Sequence, residues 1–458
     1  MFNYYEERQI NNQELPSGWQ SSTILGELEK FLQENWDNRY SFYNDGAKNK
    51  KQQFLSFLPH DGIRTNNYIG TICFNGETIN IFPKVFREQY LNNDTSKLEI
   101  SHMIRNLAAW INYCNKTEYP FINFETDIDD SNDLKELFIS IYIRYVDEVI
   151  SRNAYFKYET IEDDINTIRG RFNVADYITK KVPYMKYDSF NCKLSTFDYD
   201  NALNRIIKCT CRLIFNYTSF ENQRRIRQIL MKLNDVSDVN CVPSDCDRLV
   251  LNKSQETYKT ILSMCKMFLM NQLSTFTIGK NDNFCFLFPI ESLFEGFIGG
   301  FLTEMLDGIA TVTLQKSSDY LFEHLLFNSE DYGCFKKLRY DIFVEFKNPK
   351  KLFILDTKYK MLPRFANNPN WENDLLLRLN SNDVYQVLEY ANKNDLRDVY
   401  LLYPLIRKEE VEPSHPIGQS YCQRGQTNVH IIKIPFVFEE DESKIKSVLK
   451  MELEKIFK

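Results

Sequence analysis

The sequence has no run of about 18 apolar residues, the length a helix needs to cross a bilayer. Its first residues, MFNYYEERQI, carry neither the basic block nor the apolar block of a secretory signal. The 11 cysteines are scattered without a disulfide framework, so they read as reduced thiols of a cytoplasmic protein. Positive charge is also in short supply: 56 Lys and Arg stand against 63 Asp and Glu, a formal net charge of −7. That balance excludes a generic nucleic-acid coat and confines any DNA contact to a local patch. No Gly-x4-Gly-Lys-Ser/Thr loop occurs, so no nucleotide is expected in the usual phosphate cradle. Internal repeats and low-complexity linkers are lacking too.

What is present fits several packed domains. The chain has 458 residues, enough for two to four domains, and 43% hydrophobic residues supply their cores. Residues 1–98 read as a β-rich domain. In TICFNGETINIF (71–82) two alternating runs flank Asn75-Gly76, the signature of a hairpin with a type I′ turn. Residues 99–275 read as mainly helical. Amphipathic runs cover 100–114, 131–150 (Ser131 as N-cap), 201–217 and 223–233, and TIRGRFNVADYI (167–178) reads as a strand or turn leading into a short helix. From residue 276 to 458 helix and strand patterns alternate. Helices are expected at 292–306, 382–394 and 441–457, with strands at 340–346, 351–359, 398–405 and 429–438. The fold class is therefore α+β, with several domains.

Two groups of side chains have bland accounts. Arg169, Arg171, Arg224, Arg225 and Arg227 are able to touch phosphates, but a solvated helix face explains the last three more simply. Cys209, Cys211, Cys241 and Cys246 have one spacing that suits zinc. Neither knuckle glycines nor a nearby His accompany them, and small buried side chains explain them better.

The stretch KLFILDTKYK (351–360) is different. An apolar run, Leu352 to Leu355, leads directly into Asp356 and Lys358, so both charges are delivered to the end of a buried strand. If 340–346 and 351–359 form a hairpin with the loop 348–351, then Lys347 pairs with Leu352 and Asp341 with Lys358. Asp341, Asp356 and Lys358 then share one face. Two carboxylates and a lysine suit a metal-dependent phosphodiester hydrolase. Asp341, Asp356 and the backbone carbonyl of Thr357 would hold Mg²⁺ (Mn²⁺ accepts the same oxygen ligands), and Lys358 would hold the attacking water. Gln386 and Tyr390, one helical turn apart, are supporting candidates. Glu295 is either a further ligand or outer base, or a solvent-facing helix carboxylate. Between 336 and 364 nine basic residues stand against three acidic ones. Lys336, Lys337, Arg339, Lys360 and Arg364 in this patch are candidate DNA contacts.

Asp341, the Asp356-Thr357-Lys358 block and the Gln386-x3-Tyr390 helix resemble the PD-(D/E)xK nuclease superfamily. More narrowly, the chain resembles the McrC family of nuclease subunits in McrBC-type, 5-methylcytosine-specific restriction systems. Four blocks carry this: IRGRFNVADYI (168–178), STFDYDNALNRIIKCT (195–210), YDIFVEFKNPKKLFILDTKYK (340–360) and VYQVLEYANKN (384–394) through VYLLYPL. The resemblance implies a C-terminal nuclease domain with a central mixed sheet flanked by helices. It further implies double-stranded DNA as substrate, a role in phage defence, and a separate McrB-like AAA+ GTPase ring that the chain docks on and stimulates. The middle region is the expected docking part. Tyr340 stands where the superfamily name has Pro, and residues 1–98 have no counterpart in compact family members. Two other readings stay open on the sequence: an inactive nuclease-fold adaptor that activates a GTPase, and a stand-alone defence nuclease.

Overall fold

The computed structural model describes residues 2–38, 51–58, 62–86, 97–114, 134–152, 157–168, 170–249, 283–322, 333–362, 379–405, 420–437 and 442–457, with isolated positions between 251 and 269 and between 324 and 331. They form a mixed α/β architecture with several sheets. The chain divides into two units, Met1–Leu137 with Gly279–Lys458, and Phe138–Ile278.

The first unit opens with strand β1 (Phe2–Tyr5), helix α1 (Ser22–Asn38), strands β2 (Tyr68–Phe74) and β3 (Glu77–Phe82), and helix α2 (Lys97–Tyr113). β2 and β3 are the expected hairpin. Phe74 pairs with Glu77, and Asn75 and Gly76 both hold positive φ, 51° and 76°, as a type I′ turn requires. β1 runs parallel to β3. Helix α1 was not anticipated, although Leu28, Phe31, Leu32 and Trp36 recur at helical spacing and are all buried.

Helix α3 (Leu134–Arg152) starts four residues before the second unit and continues in it, and that unit also contains β4 (Lys157–Ile165), β5 (Phe190–Asp198), α4 (Ala202–Phe215) and α5 (Phe220–Lys232). The helices follow the periodic runs, and the side chain of Asn201 caps α4 by accepting the Asn204 N–H. Ser131 lies outside the described residues. The antiparallel ribbon of β4 and β5 corrects the mainly helical reading of this region. In β4 the apolar Tyr158, Ile161 and Ile165 are spaced like a helix face, so its period concealed a strand. The block at 167–178 behaves as expected: Arg171–Phe172 pairs with β5, and a short helix begins at Val174.

The chain then returns to the first unit. Strand β6 (Phe284–Pro289) pairs antiparallel with β2, so the N-terminal sheet is completed by a strand from beyond residue 276. Helix α6 (Ile290–Met305) follows and packs against α2 with almost no clearance. A Cβ on Gly300 would lie 1.5 Å from the Tyr113 carbonyl oxygen. A six-stranded mixed sheet comes next, built from β7 (Ala310–Lys316), β8 (Tyr340–Phe346), β9 (Lys351–Thr357), β10 (Asp398–Leu405), β11 (Ser420–Arg424) and β12 (Thr427–Pro435), in the order β7-β8-β9-β10-β12-β11. β7, β8 and β9 are antiparallel, while β10 runs parallel to β9 and to β12. Helix α7 (Ser381–Asn394) covers one face, burying Val387, Leu388 and Tyr390 against Tyr340, Ile354 and Leu401. Helix α8 (Glu442–Ile456) ends the fold.

The β8–β9 register corrects the expectation. Phe346 pairs with Lys351 and Ile342 with Leu355, so the loop is 347–350 and the position opposite Asp341 is Asp356, not Lys358. The ladder ends on Phe346, which packs against Phe353 and Phe457 and leaves Lys347 in the solvated tip. The shift is two residues, an even number, so the faces are unchanged.

Candidate functional site

Asp356 is completely buried, as the apolar strand before it requires. Lys358 Nζ lies 2.6 Å from its Oδ2, an ion pair without hydrogen-bond geometry. Neither carboxylate oxygen has a hydrogen-bond partner. Burial, followed by the nearby Asp341 charge, pushes the Asp356 carboxyl up to about 7 against the pull of Lys358. Asp341 is half-buried, and its Oδ2 accepts hydrogen bonds from the Thr357 N–H (2.9 Å) and the Thr357 hydroxyl (3.0 Å). Thr357 is itself fixed in the β9–β10 ladder opposite Leu402.

Lys358 donates its N–H to the Leu402 carbonyl at 2.8 Å and its ammonium to Gln386 Oε1 at 3.4 Å. Burial alone would lower its pKa, but the carboxylates of Asp356, Asp341 and Asp383 outweigh that and raise it. Gln386 Nε2 donates to the Tyr390 hydroxyl (2.5 Å), which donates to the Arg339 carbonyl (2.6 Å). The two α7 side chains therefore form a relay that ends on the residue two before Asp341. Tyr340 is buried with its ring edge-on to Tyr390 at 4.7 Å.

Glu295 accepts two hydrogen bonds from Gln315 Nε2, at 3.0 and 3.2 Å. Gln315 has φ 50° and falls between the pairs Leu314↔Ile342 and Lys316↔Tyr340, which puts it opposite Asp341. Glu295 therefore reaches the site's edge through Gln315. Sequence reasoning missed this glutamine, and no local pattern marks it. It also missed Asp383, which is buried on α7 and paired with Lys360. Asp383 lies three residues before Gln386 and seven before Tyr390, a spacing that was readable.

The DNA-contact candidates divide. Lys336, Lys337 and Arg339 are exposed. Lys360 is held by Asp383, and Arg364 lies outside the described residues, as does Arg169. Arg225 pairs with Glu221 at 2.6 Å, and Arg227 sits 5.2 Å from the centroid of the Phe215 ring, as a solvated helix face would have them. Cys211 and Cys246 are buried, and Cys209 accepts a hydrogen bond from the Cys241 N–H at 3.3 Å. Among the described residues no group of three or more His, Cys, Asp or Glu side chains is placed to hold a metal. Only two carboxylates meet at Asp341 and Asp356, so a cation there would need backbone and water oxygens as well.

These features define a class: a mixed α/β protein whose central sheet delivers a carboxylate pair and a lysine to one strand end. Residues 63–404 match the family model of the McrBC 5-methylcytosine restriction system component, and the chain belongs to that family. The resemblance carried by the four sequence blocks is borne out. No curated protein matched the sequence. Among solved structures, the fold is similar to a chain in the refined half-complex from the tetradecameric assembly of Thermococcus gammatolerans McrB AAA+ hexamers with bound McrC. That chain matches at TM-score 0.65 and 14% identity, over 99% of this chain and 99% of that one. A chain of the Thermococcus gammatolerans McrBC complex, solved by cryo-electron microscopy, matches at TM-score 0.48 and 15% identity, over 67% of this chain and 88% of that one.

Proposed function

We propose that the chain is a McrC-type, metal-dependent endonuclease subunit that cuts double-stranded DNA when assembled with a McrB-like AAA+ GTPase, whose hydrolysis it stimulates. The observation that carries this reading is Asp356: a fully buried carboxylate beside Asp341, whose Oδ1 has no hydrogen-bond partner and whose Oδ2 meets the Lys358 ammonium at 2.6 Å. Such a pair is costly unless something ligates it, and hard oxygen donors fit Mg²⁺ or Mn²⁺. Asp341, Asp356 and the Thr357 carbonyl would hold the cation, with Glu295 as an outer carboxylate. When bound, it would lower the pKa of a water and offset charge on the scissile phosphate.

The chain's own side chains do the rest. Lys358 holds the attacking water and faces the charge that develops on phosphate. Gln386 and Tyr390 fix the direction of Lys358. Lys336, Lys337 and Arg339 receive backbone phosphates, which positions the duplex without reading bases. In this reading β8, β9 and β10 with α7 behind them are the PD-(D/E)xK core. The family description supports modified DNA as the target. The fold shared with a chain of an assembly of McrB AAA+ hexamers with bound McrC supports the partner.

The test is a cleavage assay on methylated and unmethylated plasmid with GTP and Mg²⁺, with and without the AAA+ partner. Cutting should require the partner and the cation. Asp356→Ala and Lys358→Ala should each slow it roughly 100- to 1,000-fold while GTPase stimulation persists. Cutting without the partner would keep the nuclease and remove the assembly. No cutting in any lane, with stimulation intact, would make the chain an adaptor.

A further inference from the structure

Beyond the end of β9 the side chains have alternating fates. Lys358 and Lys360 go to carboxylates, Asp356 and Asp383. Tyr359 between them is buried, only 4% exposed. Its ring centroid lies 5.9 Å from that of Phe294 and 6.1 Å from that of Phe436, and Lys84 Nζ lies 5.0 Å from it. Lys84 pairs with Glu7 at 2.9 Å and donates its backbone N–H to Glu6 Oε1 at 2.9 Å. Glu6 is anchored in turn by its N–H bond to the Phe82 carbonyl, which continues the β1–β3 ladder. Glu6 is 1% exposed, and its carboxylate lies near enough to the Tyr359 hydroxyl to act on it electrostatically. Glu6 Oε2 and that hydroxyl each lack a hydrogen bond of normal geometry.

Residues from the N-terminal segment therefore surround the residue that follows the candidate catalytic lysine. Lys358 itself has left the strand, where its N–H bond to Leu402 is the continuing ladder contact. A side chain beyond the end of a strand has freedom that the ladder no longer removes. Besides the Asp356 and Gln386 contacts at the tip of the side chain, a buried neighbour removes it at the backbone, because a wedged ring fixes the peptide plane that it shares with Lys358.

We infer that Tyr359, clamped by Glu6 and Lys84, is a positioning residue that sets where the Lys358 ammonium stands relative to Asp356. The N-terminal segment is then a working part of the nuclease. This rests on the nuclease reading above, and the two are separable by experiment.

The full chain is assembled with its AAA+ partner, and wild type is compared with Lys358→Ala, Tyr359→Phe and Glu6→Ala, each below its unfolding temperature. Wild-type cutting that Lys358→Ala abolishes secures the nuclease reading; its absence would sink that reading whatever Tyr359 does. Tyr359→Phe and Glu6→Ala should lower kcat roughly tenfold and leave KM for DNA unchanged, as misplacement of a reacting group does. On the metal-free chain alone, acetic anhydride labelling of Lys358 relative to exposed Lys347, read by peptide mass spectrometry, should rise in both variants. A merely structural role would lower the melting temperature and move neither quantity. Wild-type kcat and wild-type labelling in folded Tyr359→Phe and Glu6→Ala would overturn the inference.

Discussion

Asp200 shows how much one side chain organises in this protein. It accepts hydrogen bonds from Arg205 at 2.7 and 3.0 Å and from the Ser237 N–H at 2.9 Å, tying the start of α4 to the segment after α5. The Arg205 hydrogen bond and then the Ser237 contacts hold its carboxyl well below the usual carboxylate range. A depressed folded pKa contributes stability above the unfolded value, and that stability is lost as pH falls through the folded one. Asp200→Asn should therefore destabilise the protein at neutral pH, and the difference from wild type should shrink as pH drops below the ordinary Asp value of about 4. Denaturant titrations across that range measure it. Asp200 sits in one of the four blocks that carried the family resemblance, yet its partner Ser237 was invisible, because 37 residues separate them. Asp356 and Lys358 were legible for the opposite reason: their chemistry lies within three residues of one strand. Gln315 was not, since its role depends on a left-handed backbone and a ladder position that the sequence does not announce.

Among elements, the β8–β9 hairpin and the α2–α6 pair teach different lessons. The hairpin was legible as two strands and a turn, but its register was misread by two residues, because either four-residue loop satisfies the same alternation. Even-numbered slips keep faces, so Asp341, Asp356 and Lys358 stay on one side in both registers. The β4–β5 ribbon was hidden by a polar strand with helix-like spacing, where tertiary pairing overrides local pattern. The α2–α6 contact was beyond reading, since nothing in SLFEGFIGGFLTEML says which backbone passes over its glycines. Gly300→Ala should cost about 3 kcal/mol or more, because the new methyl group meets the Tyr113 carbonyl, a backbone atom that cannot step aside. A urea melt of the variant against wild type gives the value, and a cost near zero would mean the helices separate easily.

For the molecule as a whole, the boundaries expected at 98 and 275 do not mark detachable pieces within the first unit. β6, from beyond the second boundary, is hydrogen-bonded to β2, from before the first. Composition cannot reveal such a return, because each segment reads as complete along the chain. Deleting residues 1–98 removes β2 and β3, and it exposes β6 as an apolar edge. The truncated chain should be insoluble or lose cooperative melting, as expression yield and circular dichroism would show. A soluble truncated chain with a wild-type melt would mean that the C-terminal sheet stands alone.

The clamp on Tyr359 also has a consequence in time. Residue 6 leaves the ribosome early, residue 359 much later, and β10, which supports Lys358, ends only at Leu405. Contacts so distant along the chain close last and slowly. The proposed site therefore has no finished form on a nascent chain until β10 has been made, and a cell translating this message holds no complete Asp341–Asp356–Lys358 cluster before then.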